Sequence, residues 1–266
     1  MSMQLVATNG GGEQLSLRGV SKRFVVKGKD VLALQNINVE ILPGEFVSII
    51  GTSGCGKSTL LRIVAGLENA SEGVVELNGR KLDGPGRDRG LVFQEHRLLP
   101  WLTVWDNIAF AFSDASTQEA RELIRAHIEL VGLTGFEKAY PHQLSGGMAQ
   151  RASIARALVK RPQAMLFDEP FGALDALTRI QLQQEILRIW QTERTTMILV
   201  THDIDEAIYL ADRVLILSNR PGTLKKVVSI DLPRPRQRSS LDFARLRKAI
   251  YREFFAEEET LVDYTI

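Results

Sequence analysis

Disulfide chemistry is closed to this chain. It has one cysteine, Cys55, so no intramolecular bridge can form, and a reducing compartment is expected. An excess of either charge is also missing. Lys and Arg number 33 against 32 Asp and Glu, a net of +1, which argues against a protein that coats nucleic acid by bulk charge. No apolar run approaches the ~20 residues of a membrane-spanning helix; stretches such as 46–50 and 197–200 are among the longest. Residues 1–12 are polar and glycine-rich, without the basic start and apolar core of a secretory signal. A soluble chain, or one attached to a membrane through another protein, is expected. With 21 Gly and 9 Pro, neither a collagenous nor a low-complexity chain is indicated. His96, His127, His142 and His202 show no metal-ligand spacing with Cys55, and no G-x-S-x-G nucleophile elbow is present.

What is there is ordinary globular material. The 266 residues are 44% hydrophobic and 24% charged, enough for a normal core without metal or disulfide support. One large domain or two lobes is expected. Residues 1–13 read as a disordered leader. Through 14–41 apolar and polar residues alternate as in two strands, with Leu15, Leu17, Leu34, Ile37, Val39 and Ile41 apolar. Buried strands are expected at 46–50 and 164–167, further strands at 74–77, 91–93, 196–201, 214–217 and 224–230, and helices at 57–65, 174–191 and 204–211. Residues 103–160 turn mostly helical, with Thr103, Ser116 and Ser145 as expected N-caps. Alternating strands and helices indicate an α/β sheet, which the helical block at 98–160 interrupts as an inserted lobe. Pro233 and Pro235 open a tail that ends in a helix near 241–258. Its arginines, Arg234, Arg236 and Arg238, lie between prolines with acids following, and a solvated linker is expected there.

One segment carries explicit chemistry. Gly51-Thr52-Ser53-Gly54-Cys55-Gly56-Lys57-Ser58 fits G-x-x-x-x-G-K-[ST], with a buried strand before it and a helix after. Glycines let backbone N–H groups curl around phosphates. The helix N-terminus adds its positive dipole end. Lys57 supplies a cation for the β- and γ-phosphates, and Ser58 offers a hydroxyl to Mg²⁺. Cys55 reads as a small loop residue rather than a redox centre. The run Ala164-Met165-Leu166-Phe167-Asp168-Glu169 then supplies the acids. A strand end carries Asp168 to the ligand edge of the sheet, to hold Mg²⁺ largely through water. Glu169, one residue on, is placed to polarise a water toward the γ-phosphate.

Between these elements lies Leu144-Ser145-Gly146-Gly147-Met148, opening a helix; Gln94 follows a strand, Phe171-Gly172-Ala173-Leu174-Asp175 follows Glu169, and Thr201-His202-Asp203 follows another strand. In this order the set resembles the ATP-binding-cassette (ABC) family over residues 14–230. The resemblance implies a P-loop NTPase fold: an ABC ATPase cassette at 14–232 with a RecA-like core, an antiparallel β subdomain and an inserted helical signature subdomain, followed by a C-terminal extension at 233–266. It implies bound ATP and Mg²⁺, with Gly51 to Thr59 around the phosphates. Phe24 would stack on adenine, unless it is a core phenylalanine. Gln94 would join Ser58 and Asp168 at the metal, touch the attacking water and report to a membrane partner. His202 would bond the γ-phosphate and assist Glu169, unless it is a helix-cap histidine. Ser145, Gly146 and Gly147 would close over ATP held by a second copy, with Asp175 at the same interface, so that a head-to-tail homodimer holds two ATP molecules. Met148 departs from the glutamine common at that position.

A single cassette without a membrane span resembles importer ATPases that dock on separate permeases. Gly84-Pro85-Gly86-Arg87-Asp88-Arg89-Gly90, Leu98-Leu99-Pro100-Trp101-Leu102-Thr103-Val104-Trp105-Asp106-Asn107, Asn219-Arg220-Pro221-Gly222 and Asp231-Leu232-Pro233-Arg234-Pro235-Arg236 are similar to stretches of the nitrate/sulfonate/taurine importer ATPases. Thiamine-precursor importers share much of this pattern. The resemblance implies two permease subunits, a periplasmic or extracellular solute-binding protein, a peripheral place on the cytoplasmic face of the plasma membrane, and no nucleic acid. At most half of Leu98, Leu99, Trp101, Leu102, Trp105, Ile108, Phe110 and Phe112 are expected to face a partner. The rival is a soluble ABC ATPase of repair or translation. Such proteins usually carry two cassettes or a long coiled coil, and no sustained heptads are seen here.

Overall fold

Residues 14–255 are described by the computed structural model; the expected leader, and residues 256–258 of the expected C-terminal helix, lie outside them. In chain order the elements begin with β1 (Leu15–Val26), β2 (Lys29–Ile41), β3 (Phe46–Ile50), α1 (Lys57–Val64), β4 (Glu72–Leu77), β5 (Arg80–Lys81) and β6 (Arg89–Val92). Next come α2 (Val104–Ala109), α3 (Gln118–Leu130), α4 (Gly146–Leu158), β7 (Ala164–Asp168) and α5 (Ala176–Glu193). The last are β8 (Thr196–Val200), α6 (Ile204–Leu210), β9 (Arg213–Leu217), β10 (Leu224–Ser229) and α7 (Leu241–Phe255).

These strands form two sheets. A six-stranded sheet runs β10-β9-β3-β8-β7-β6, parallel except where β10 pairs β9 antiparallel. Its inner strands β3 and β8 are buried at every residue, as expected of parallel strands covered on both faces. A four-stranded antiparallel sheet, β2-β1-β4-β5, stands beside it. Two apolar cores follow. One lies between the four-stranded sheet, α1 and one face of the large sheet; the other joins that sheet's opposite face to the helices between β6 and β7 and to α5, α6 and α7. Parallel strands all end at one edge of the sheet, so the loops after β3, β7 and β8 converge there.

The helical block lies between β6 and β7, as the sequence pattern indicates. Thr103 caps α2 by accepting from the Asp106 N–H, and Ser145 caps α4 by accepting from the Met148 N–H. Ser116 does not cap α3. That cap is Thr117, which accepts from the Ala120 N–H, whereas the N–H and hydroxyl of Ser116 both donate to Asp114. Of the eight large apolar residues between Leu98 and Phe112, Trp101 and Phe110 are exposed, at 70% and 68%. The remaining six are buried or half-buried in the helical packing.

The arginine-rich tail corrects the expectation of a solvated linker. Arg236 is only 6% exposed. Its guanidinium donates to the carbonyls of Ile208 at 2.7 Å, Ala211 at 2.5 Å and Ile230 at 3.0 Å. The first two belong to the C-terminal turn of α6, where carbonyls lack helical partners. Arg234 bonds Asp212 and the Leu210 carbonyl and lies 4.4 Å from the Trp190 ring centre. In α7, Phe243 and Ile250 are fully buried. Spacing alone shows no acceptors for these arginines, because they are backbone carbonyls and a carboxylate brought up by other elements.

Candidate active site

The loop after β3 passes into α1 through a glycine. Gly56, at φ 106°, is the N-cap of α1 and offers no side chain to its first N–H groups. A Cβ there would meet the Leu34 side chain at 2.7 Å and the Ala33 carbonyl at 3.1 Å, so only glycine fits both the angle and the space. Lys57 is 6% exposed. Its Nζ donates to the carbonyls of Gly51 at 2.9 Å and Thr52 at 3.1 Å, which leaves one of its three N–H bonds for a ligand. Cys55 is buried, and burial raises its thiol above the ordinary range more than the neighbouring Lys57 ammonium lowers it. That state suits a packing residue, not a thiolate.

Ser58 Oγ donates to Asp168 Oδ1 at 2.7 Å, joining the first turn of α1 to the end of β7. Glu169 follows at φ 48°, a strained angle for a branched-off side chain of this size. Its N–H donates to the Val200 carbonyl at 2.9 Å, and its Oε2 lies 3.2 Å from His202 Nδ1. His202 is largely exposed and is not the cap of α6. Asp203 is, accepting from the N–H groups of Asp205 and Glu206. Behind His202, Glu206 is 6% exposed; burial raises its carboxyl above the ordinary range, opposed by the Thr201 hydroxyl bond.

A cleft of about 330 Å³ unites Phe24, Val26, Val31, Ala33, Ser53, Gly54, Gly56, Lys57, Ser58, Thr59, Glu169 and Arg220. Phe24 is half-buried on β1, outside both apolar cores, with Lys22 Nζ 4.9 Å from its ring centre. It is therefore not a core phenylalanine. Gln94 lies against Gly172, in the turn where the Gly172 N–H donates to the Glu169 carbonyl at 3.2 Å. Ser145, Gly146 and Gly147 do not line this cleft; they start α4 on the helical lobe, with Ser145 and Gly146 exposed. Asp175 caps α5, and the bond to Thr178 holds its exposed carboxyl below the ordinary range.

In the sequence, Arg220 stands out only as part of a family-like stretch. In the structure its guanidinium donates to the Gly54 carbonyl at 3.2 and 3.3 Å and lines the cleft. Asn219 Oδ1 accepts from Thr52 Oγ1 at 2.6 Å. Gly222 is bonded to β2 through Ala33 and Gln35, and a Cβ on it would lie 2.1 Å from the Cys55 carbonyl. The loop after β9 thus braces the anion loop from outside. Apart from the family-like stretch, its sequence signal is the turn-forming Pro-Gly pair.

The oxygen donors fit a hard divalent cation. Ser58 and Asp168 present a hydroxyl and a carboxylate together. That suits Mg²⁺, which takes one or two protein oxygens and draws the rest from phosphate and water.

Comparison with known proteins gives a consistent picture. The ABC transporter family model matches residues 34–172. The chain is 51% identical over 238 residues to the aliphatic sulfonates import ATP-binding protein of Bacillus subtilis, covering 90% of this chain and 93% of that one. It is also 51% identical over 239 residues to an uncharacterized ABC transporter ATP-binding protein of Methanocaldococcus jannaschii, covering 89% of this chain and 90% of the other. Among solved structures it resembles a dimeric ATP-binding cassette in a post-hydrolysis state with ADP and phosphate, at a TM-score of 0.71 and 33% identity. That likeness covers 82% of this chain and 100% of the cassette.

Proposed function

The chain belongs to the ABC transporter family, and from that premise we propose that it is the ATP-hydrolysing subunit of an importer for aliphatic sulfonates or taurine. The observation that carries the ATPase reading is the pairing of Ser58 with Asp168 beside the pairing of Glu169 with His202, all at one sheet edge. The solute class rests on the similarity to sulfonate importers.

The proposed roles follow from position. The N–H groups of Ser53 to Thr59, the start of α1 and the Lys57 ammonium bind the phosphates. Ser58 and Asp168, with Gln94, would hold Mg²⁺, which would supply Lewis-acid stabilisation of the phosphate charge. Glu169 accepts a proton from the attacking water, while His202 orients that carboxylate and donates toward the γ-phosphate. Phe24 offers a flat apolar face to adenine. The exposed start of α4 is free to serve a second copy, so Ser145, Gly146 and Gly147 close over the partner's ATP, with Asp175 near the seam. Two copies would then be drawn together by phosphate contacts from both sides and part when the γ-phosphate leaves.

No helix among the described residues is long and apolar enough to cross a membrane. Attachment is therefore proposed to run through two permease subunits on the cytoplasmic face, with a solute-binding protein supplying the solute. Growth of a deletion strain tests the solute class. Loss of growth on taurine or alkanesulfonates as the only sulfur source, restored by the gene, is expected. Loss on nitrate as the only nitrogen source instead would move the chain to the nitrate importers. Growth on both, with redundant genes removed, would point to a thiamine precursor or another solute.

A further inference from the structure

The docked tail makes a second connection that the roles above do not use. Arg238 lies over the Tyr209 ring, 3.8 Å from its centre, and donates to Gln183 Oε1 on α5. Gln183, 2% exposed, donates through Nε2 to Glu206 Oε1 at 3.1 Å. Glu206 Oε2 accepts from Thr201 Oγ1 at 2.6 Å. Thr201 Oγ1 in turn accepts from the Asp203 N–H at 3.0 Å. This last bond closes a turn whose middle residue is His202.

Each link in this chain has a fixed direction. An arginine can only donate. Arg238 therefore turns the Gln183 amide so that its oxygen faces the guanidinium and its NH₂ faces Glu206. A flipped amide would set its oxygen against the Glu206 carboxylate, where the Arg179 guanidinium stands 3.9 Å off and cannot replace the lost donor, and leave Arg238 facing an NH₂ group. With one Glu206 oxygen taken by Gln183, the other accepts the Thr201 hydrogen, and the hydroxyl oxygen is left to hold the Asp203 N–H. Buried amides and hydroxyls choose among such arrangements only through their partners. From the other side, Arg247 of α7 pairs with Asp205 in the first turn of α6, and Arg236 holds the last turn of the same helix.

We infer that Arg238 is a positioning residue for hydrolysis: through Gln183, Glu206 and Thr201 it sets the turn that presents His202 to Glu169, so that the segment after β10 governs turnover. The inference rests on the proposed roles of His202 and Glu169. It predicts an effect on the chemical step and not on nucleotide binding, because none of Arg238, Gln183 or Glu206 lines the cleft.

The test is steady-state ATP hydrolysis by the full chain with Mg²⁺. Arg238→Met keeps an apolar stem on Tyr209 and removes the donors; kcat is expected to fall about fivefold, with KM for ATP within about twofold. Gln183→Met breaks the chain at its middle while the Arg238 side chain and its place over the Tyr209 ring are kept; it is expected to give the same split, which guards against a local folding defect at Arg238. Arg238→Lys keeps a donor-only cation and is expected to retain most of kcat. In a His202→Ala background, Arg238→Met is expected to cost less than about twofold more, since coupled residues are not additive. Equal losses in both backgrounds, or a change in KM with kcat intact, would overturn the inference alone. A His202→Ala protein that hydrolyses ATP at the wild-type rate would instead overturn the role proposed for His202.

Discussion

Glu169 and His202 face each other because β7 and β8 pair in parallel with Asp168 opposite Val200. One residue beyond that rung on β7 and two beyond it on β8, a carboxylate oxygen and an imidazole nitrogen come within 3.2 Å. Register thus does for this pair what a short loop cannot. Two rigid strands fix the spacing, and the left-handed φ of Glu169 turns its side chain out of the strand toward the cleft.

Gly56 is the most demanding backbone position of the anion loop. Replacing it with alanine forces a Cβ to 2.7 Å from Leu34 at φ 106°. Gly56→Ala is expected to cost about 1–3 kcal/mol of stability and to weaken ATP binding at least tenfold, because the loop must shift to relieve the contact. Thermal unfolding and nucleotide titration check both effects. A variant with wild-type affinity would show that the loop adapts.

Arg236 predicts a stability effect far from any ligand. Arg236→Ala leaves the buried carbonyls of Ile208, Ala211 and Ile230 without their donor. A loss of about 3–5 kcal/mol is expected, seen as a melting temperature lowered by roughly 2–4 °C per kcal/mol for a chain of this size. A change within 1–2 °C would mean that the tail is only loosely held, as its composition alone suggests.

Glu206 gives a pH signature. Burial raises its folded pKa above the ordinary 4.5, and neighbouring Asp203 adds to the effect. Between those two pKa values the native state holds a proton that the unfolded chain has released. The group's contribution to stability is therefore full below about 4.5 and is lost as pH rises through the raised folded value. Glu206→Gln removes this titration. Its melting temperature, set against that of the wild type, should move in the variant's favour as pH climbs from 4.5 to neutrality. A difference that stays constant with pH would contradict the assignment.

The legible parts of this protein are those whose chemistry is local. Gly51 to Ser58 declare themselves because spacing, glycine content and a buried strand before them are all in one segment. Asp168 and Glu169 were legible as the end of an apolar run once that loop was recognised. Thr103 and Ser145 were legible as caps, but Ser116 and Thr117 carry the same hydroxyl, and the nearby Asp114 carboxylate decides between them. β5, two residues long, has too little pattern to read. The docking of the tail is not legible, because an arginine between prolines carries no mark of the helix end that receives it. Arg220 and the Gln183–Glu206 link are of the same kind: their partners lie on other elements, and only the fold brings them together.

The most direct test of the central claim is phosphate release from Mg²⁺ and ATP by the purified chain, wild type against Glu169→Gln. If Glu169 is the base beside His202, release falls about 100- to 1,000-fold while ATP binding persists and two copies are captured as an ATP-bound dimer. Release near the wild-type rate would contradict the account, because the carboxylate that the fold aims into the cleft would then have no part in hydrolysis.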